Sequence, residues 1–205
     1  MNLRTCFPLA LAGTLLATAA HAQLGIKAGA NFAEVKADGG QSTAVKTYFH
    51  AGVLYHYHVA EHFSIQPELL YSLQGGTFKD ALNNYDTRLH YVTLPVLARV
   101  GFGPVFVEAG PQVGLLLGAT KDGQIQVNGA TTLNGSQSAT NDYKKVDFAV
   151  CAGLGFRLSK ALAIGGRYVG GLNDINDVTS LTIYSYPRLQ NRVIQVYASL
   201  EFGED

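Results

Sequence analysis

Residues 105–118 read Val-Phe-Val-Glu-Ala-Gly-Pro-Gln-Val-Gly-Leu-Leu-Leu-Gly, and their alternation decides the fold. In an extended strand successive side chains point to opposite faces. Val105, Val107, Ala109, Val113, Leu115 and Leu117 therefore share one face, and Glu108 and Gln112 take the other. The same parity recurs elsewhere. Val146, Phe148, Val150, Leu154, Phe156 and Leu158 oppose Asp147 and Arg157. Ile194, Val196, Ala198, Leu200 and Phe202 oppose Gln195, Ser199 and Glu201, and Phe63, Ile65, Leu69, Tyr71 and Leu73 oppose Ser64, Gln66, Glu68, Ser72 and Gln74.

The polar faces together hold four cations, Lys27, Arg99, Arg157 and Arg167, and four anions, Glu68, Glu108, Asp147 and Glu201. A charge facing lipid near the bilayer midplane costs about 2–4 kcal/mol. Eight such charges would exceed a typical net stability of about 5–15 kcal/mol, so in a membrane they must face inward. A soluble, lipocalin-like barrel with these charges in water is the alternative. Its wet face should be dense in Lys and Glu, whereas this one alternates sparse charges with Gly25, Gly29, Gly52, Gly110, Gly114, Gly153, Gly155, Gly165 and Gly171. Small residues beside long polar ones suit the narrow interior of an eight-stranded barrel. Equal numbers of both signs imply a paired lumenal network that fills the barrel and is structural in role.

Eight strands are predicted at 24–33, 47–59, 62–74, 88–101, 104–118, 143–158, 161–172 and 191–202. Connections of two residues, at 60–61, 102–103 and 159–160, alternate with long ones at 34–46, 75–87, 119–142 and 173–190. Short periplasmic turns and long external loops are the rule in outer-membrane barrels, and this order puts both termini in the periplasm. Most predicted strands also exceed the ~5–6 residues usual in soluble sheets. Asn128-Gly129 between alternating runs is a hairpin signal, so strands five and six are expected to reach beyond the membrane. With the β-prone Leu181–Tyr186, it makes a ten-stranded barrel the alternative. Phe32, Phe49, Tyr57, Phe63, Phe102, Phe156 and Phe202 fall near strand ends, as interface girdles do. The expected fold is all-β: a closed, eight-stranded, antiparallel up-and-down transmembrane barrel in the cell outer membrane, in contact with outer-membrane lipid.

The first 22 residues read as a cleaved leader. Arg4 precedes an apolar run, and Ala20-His21-Ala22 has the small-x-small form of a signal-peptidase site. Residues 23–205 then form the barrel domain. Losing Arg4 from the balanced 15 and 15 leaves 14 basic against 15 acidic residues, a net −1, so no basic surface points to nucleic acid. Only Cys151 remains past the leader, which excludes disulfide stapling and a cysteine metal site.

Several blocks resemble the PorT-like outer-membrane β-barrel proteins common in Bacteroidetes. Gly25-Ile26-Lys27-Ala28-Gly29-Ala30-Asn31-Phe32 looks like their opening strand, and Gln66-Pro67-Glu68-Leu69-Leu70-Tyr71-Ser72 like their third. Tyr91-Val92-Thr93-Leu94-Pro95-Val96-Leu97 followed by Glu108-Ala109-Gly110-Pro111-Gln112-Val113-Gly114 is similar to their most recognisable block. Gly153-Leu154-Gly155-Phe156, Arg167-Tyr168 and Gly171-Leu172 fit the later strands. The resemblance implies an eight-stranded outer-membrane barrel, with a founding member associated with protein secretion. It implies no functional residue set.

Three constellations hold side chains capable of chemistry. His50, His56 and His58 share the inward face of strand two, but the outer two lie about 20 Å or more apart along it, and a polar lining accounts for them better than a metal site. His62-Phe63-Ser64 has a His-x-Ser spacing with Glu68 on the serine's face, yet Ser64 and Glu68 stand about 13 Å apart along a strand, beyond triad contact. Asn173, Asp174, Asn176 and Asp177 supply oxygen ligands suited to calcium, in a spacing ordinary for turns. The sequence therefore predicts no enzyme, no cofactor and no resident metal. It predicts a small barrel with a structural or binding role, partnered by the barrel-assembly machinery and, through its loops, by envelope or secretion proteins. A barrel-embedded hydrolase is the alternative.

Overall fold

The computed structural model describes residues 22–37, 43–79, 84–127, 131–177 and 188–202. They form β1 (Ala22–Ala37), β2 (Lys46–Ala60), β3 (Phe63–Lys79), β4 (Asn84–Phe102), β5 (Val105–Val127), β6 (Thr131–Ser138), β7 (Val146–Arg157), β8 (Leu162–Gly171) and β9 (Leu189–Phe202). Every neighbouring pair is antiparallel. The order runs β4-β3-β2-β1-β9-β8-β7-β5, and pairing of β4 with β5 closes the ring. Closure gives every barrel strand two partners, which lipid demands because it offers no hydrogen bonds to an open edge.

The barrel has eight strands, and β6 is an appendage rather than a ninth stave. β5 outruns the barrel wall and pairs with β6 from Thr120↔Ser138 to Val127↔Thr131. The chain then leaves the sheet through a 3-10 turn at Thr140–Asp142 before β7 begins at Val146. The Asn-Gly signal thus corresponds to a real external hairpin, whose tip at 128–130 lies outside the described residues. The reading of strand six as 143–158 changes: β6 is its own strand, and the barrel strand starts three residues later. The stretch Leu181–Tyr186, the Gly203-Glu204-Asp205 extension and the leader through residue 21 also lie outside the described residues.

The second long connection, predicted at 75–87, is not a loop over most of its length. It is ladder from Gly75↔Arg88 to Lys79↔Asn84. Polar residues outside the bilayer need no lipid-compatible face, so alternation fades while backbone pairing continues. Likewise Glu34–Ala37 stay paired with Leu189–Arg192.

The outer band is apolar. Val105, Val107, Val113, Leu115 and Leu117 are 42–56% exposed, and Ile26, Leu69, Leu94, Phe148, Leu154 and Ile194 are exposed on their own strands. Phe102 and Phe202 end their strands with exposed rings. Inside, large side chains fit because small ones face them. Gly155 pairs with Gly165 across β7 and β8, and a methyl group on Gly155 would overlap the Phe106 ring. A methyl on Gly165 would meet Tyr197 in the same way. Toward the external end, Leu89, Tyr91, Leu116, Ala119, Ala139, Tyr143 and Ile175 form a buried apolar layer. Ile175 comes from the start of the last connection and is fully buried, so residues 173–177 turn inward at the external mouth.

Candidate functional site in the barrel lumen

Glu68 on β3 stands at the centre of the lumenal charges. Lys27 Nζ donates to its Oε1 at 2.5 Å, and Arg167 Nη1 donates to Oε2 at 2.9 Å. Arg167 also lies 3.9 Å from Glu108, which Arg99 approaches at 3.7 Å. Arg99 reaches Glu201 at 3.4 Å and donates to Gln66. Three cations and three anions thus form one connected set. Tyr197 donates to Glu108 at 2.8 Å, and Lys27 sits 3.7 Å over the Tyr197 ring. Arg99 stacks at 3.7 Å on Phe106. Above this set, Asn31 Oδ1 meets Gln195 Nε2 at 2.8 Å and His50 Nδ1 at 2.7 Å. The chains cross from wall to wall, so side chains occupy the lumen.

Two of the eight charges stand apart. Asp147 is buried near the apolar layer and accepts from Asn191 Nδ2 at 2.8 Å. Arg157 lies exposed at the periplasmic rim, and among the described residues no carboxylate is within ion-pair distance of it. Its position at the end of β7 explains this, since the strand leaves the lumen there.

The histidines divide as well. His50 serves the Asn31 node, whereas the His56 and His58 rings stack with centroids 4.4 Å apart near the periplasmic turn. The His62, Ser64 and Glu68 grouping is not brought together, because His62 occupies the exposed turn and Glu68 turns to Lys27 and Arg167. Ser64 meets a different pair. His56 Nε2 lies 2.7 Å from Ser64 Oγ, and His56 Nδ1 lies 2.9 Å from Glu201 Oε2. β1 separates the strands of His56 and Glu201, with Gln23 paired with His56 and Gly25 with Glu201, and the two side chains meet on its inward face. Ser64 also lines a cavity of about 200 Å³ with Arg99, Phe106, Arg157, His58 and His62. Spacing along one strand missed this trio, which needs three strands and their register. The one available clue was the short β2–β3 turn, which places His58 opposite Ser64.

The profile of the outer membrane protein β-barrel domain family matches residues 17–177. The chain belongs to that family. Solved outer-membrane barrels share its architecture. Neisserial surface protein A superposes with a TM-score of 0.57 at 12% identity, over 87% of this chain and 97% of that one. Ail, the attachment invasion locus protein of Yersinia pestis, gives 0.53 at 16% identity, over 89% and 99%. Ail in complex with the heparin analogue sucrose octasulfate gives 0.52 at 14% identity, over 89% and 99%. At these identities the likeness concerns the fold. No curated protein matches the sequence.

As an outer-membrane barrel of this family, the chain sits in lipid and carries its polar elaboration beyond the bilayer. Lys46 pairs with Asp86, Arg88 with Asp122 at 3.2 Å, and Lys121 with Asp142 at 2.6 Å. These exposed pairs balance in sign. Asn173, Asp174, Asn176 and Asp177 are woven into the same end. Asn173 Oδ1 accepts from Phe148 N at 2.7 Å, Asp177 N donates to Asp142 O at 3.0 Å, and Asp174 Oδ1 accepts from Asn176 N at 3.0 Å and Leu189 N at 2.9 Å. Partial burial opposes ionisation of Asp174, but those two amides, with the charges of Lys144 and Arg188, hold the carboxyl below the usual 3.8.

Proposed function

We propose that this protein is a non-conducting outer-membrane scaffold whose external loops and β5–β6 hairpin form its working surface. The observation that carries the reading is the lumenal network, in which Lys27, Arg167, Arg99, Glu68, Glu108 and Glu201 neutralise one another across the barrel. A lumen filled by paired charges and closed externally by Ile175 supports anchoring rather than transport. The exposed part is polar and built on extended ladders, a rigid platform for contacts. The PorT-like strand motifs favour a partner in the envelope or among secretion proteins, after assembly by the barrel-insertion machinery and removal of residues 1–22. Such a role requires no chemistry of the loops.

Planar-bilayer recording of the refolded protein tests the sealed lumen, with no conductance steps above the lipid baseline expected. Steady single-channel currents would overturn the reading. Deleting residues 122–136 should keep the heat-dependent gel shift of a folded barrel while abolishing in-cell crosslinks made through the external end. Unchanged crosslinks would remove the hairpin from the working surface.

A further inference from the structure

We propose that Ser64, His56 and Glu201 form an acyl-transfer site at the periplasmic mouth of the barrel, acting on small carboxylic esters. This goes beyond the scaffold reading: the working surface proposed above lies at the external end, whereas this site lies at the other end and shares Arg99 and Glu201 with the lumenal network. It also departs from the expectation, drawn from spacing alone, that the chain carries no catalytic set.

His56 links Ser64 to Glu201 in one hydrogen-bonded chain. Nucleophilic catalysis by serine needs a base within about 2.6–3.2 Å and a third group orienting that base. His56 bridges Ser64 at 2.7 Å through Nε2 and Glu201 at 2.9 Å through Nδ1. With Nδ1–H donated to the carboxylate, Nε2 is left to accept the Ser64 proton, which is the arrangement the triad requires. The opposite tautomer would set Nε2–H against the hydroxyl and leave Nδ1 without a proton to give Glu201.

The second observation is access. Elsewhere in the lumen the charged groups are sealed, as the fully buried Glu68 and Arg167 side chains show. Ser64 instead borders the cavity of about 200 Å³. That volume falls below the ~300–1,000 Å³ of pockets for drug-sized ligands, which restricts the substrate to a short acyl ester. Phe106 offers an apolar wall. Arg99 lies directly opposite Ser64 in the β3–β4 register, and Arg157 lines the mouth. Arg157 is the lining cation that a developing oxyanion can meet, because Arg99 is already held by Glu108 and Glu201.

The chemistry balances without further reagents. Ser64 Oγ attacks the ester carbonyl while His56 Nε2 takes its proton. The tetrahedral adduct collapses, the C–O bond to the alcohol breaks, and His56 returns the proton to the leaving alkoxide. Water then attacks the acyl-serine, with His56 again accepting and returning a proton, and the acid departs. Glu201 acts through His56 as a positioning residue.

The refolded full-length mature barrel in detergent provides the test, with a fluorophosphonate probe and 4-nitrophenyl acetate as the ligands used. One covalent adduct is expected on Ser64, located by peptide mass spectrometry. Ester turnover should fall roughly a hundredfold or more in Ser64→Ala and in His56→Gln, the usual scale of losing a nucleophile or its base. Glu201→Gln should lower kcat with KM nearly unchanged, a split that a purely structural role would not give. The heat-dependent gel shift certifies each variant as folded. The proposal is overturned if folded wild-type protein takes no adduct on Ser64 and hydrolyses the ester no faster than Ser64→Ala.

Discussion

Lys27 and Glu68 lie 41 residues apart in sequence and meet at 2.5 Å with neither side chain exposed. Glu68 also holds Arg167, so one carboxylate compensates two buried cations. Removing one member of a buried ion pair costs about 3–5 kcal/mol, because the other charge is left uncompensated. Glu68→Gln should therefore lower folding stability by about that amount, measured by urea titration in phospholipid vesicles. Adding Lys27→Met to the same chain should restore part of it. A loss below about 1 kcal/mol would show that water reaches the node.

The Gly155–Gly165 pair makes the room in which Phe106 and Tyr197 pack. Phe106 in turn supports the Arg99 guanidinium. Gly155→Leu forces the ring away, and overpacking of this kind costs about 1–3 kcal/mol. The same urea titration reads it. Gly135 on the external hairpin meets nothing within 4 Å of an added Cβ, so Gly135→Ala should change stability little.

The two faces of one strand should respond in opposite ways to charge. Val150 lies midway along β7 and faces outward, 46% exposed. Val150→Arg should destabilise the barrel by about 2–4 kcal/mol, the cost of arginine against lipid near the midplane. Gln137→Arg, on exposed β6 beyond the wall, should be close to neutral. Equal effects at both sites would contradict the placement of the bilayer.

What the sequence made legible followed from lipid. Inside the membrane each strand must be apolar on one face, so the parity around Glu108, Glu68, Asp147 and Glu201 can be read residue by residue. Outside the membrane that constraint ends, and the ladders at Gly75–Lys79 and Glu34–Ala37 looked like loops. Lumenal partners were less legible than lumenal faces. Parity puts Ser64, His56 and Glu201 on inward faces, but their meeting depends on the register of β2 and β9 against β1. Asp147 shows the same limit, since an inward parity did not distinguish the charged zone from the Asn191 site it occupies.

Acid should loosen the external end in a defined window. Partial burial would raise the carboxyl of Asp86, yet hydrogen bonds from Lys46 and Thr77 hold it below the usual 3.8, as two backbone amides do for Asp174. A group depressed on folding contributes stability above its unfolded value and loses it as pH falls through the folded value. These contributions are thus complete above about 4 and lost below it. The amide resonances of Leu189 and Asn176 should titrate with a midpoint under 3.8, and Asp174→Asn should abolish that titration. A midpoint above 3.8 would mean that burial, not the amides, governs the carboxyl.

Ile175 explains why the last loop carries its Asn and Asp residues. The side chain is fully buried in the layer with Tyr91, Tyr143 and Leu116. Its backbone is fastened by Lys144 N to Ile175 O at 2.8 Å and Ile175 N to Leu189 O at 2.9 Å. The flanking Asn173 and Asp174 side chains complete the turn by bonding backbone groups. Oxygen atoms already taken by amides are poorly placed to bind calcium, which takes 6–8 oxygen ligands. Chelator should therefore leave thermal stability unchanged. Ile175→Ala should lower it by about 2–5 kcal/mol, the range for truncating a buried isoleucine. It should also increase cleavage of the last external loop by protease added outside. A stability that falls with chelator and not with Ile175→Ala would make the segment a metal site instead of a cap.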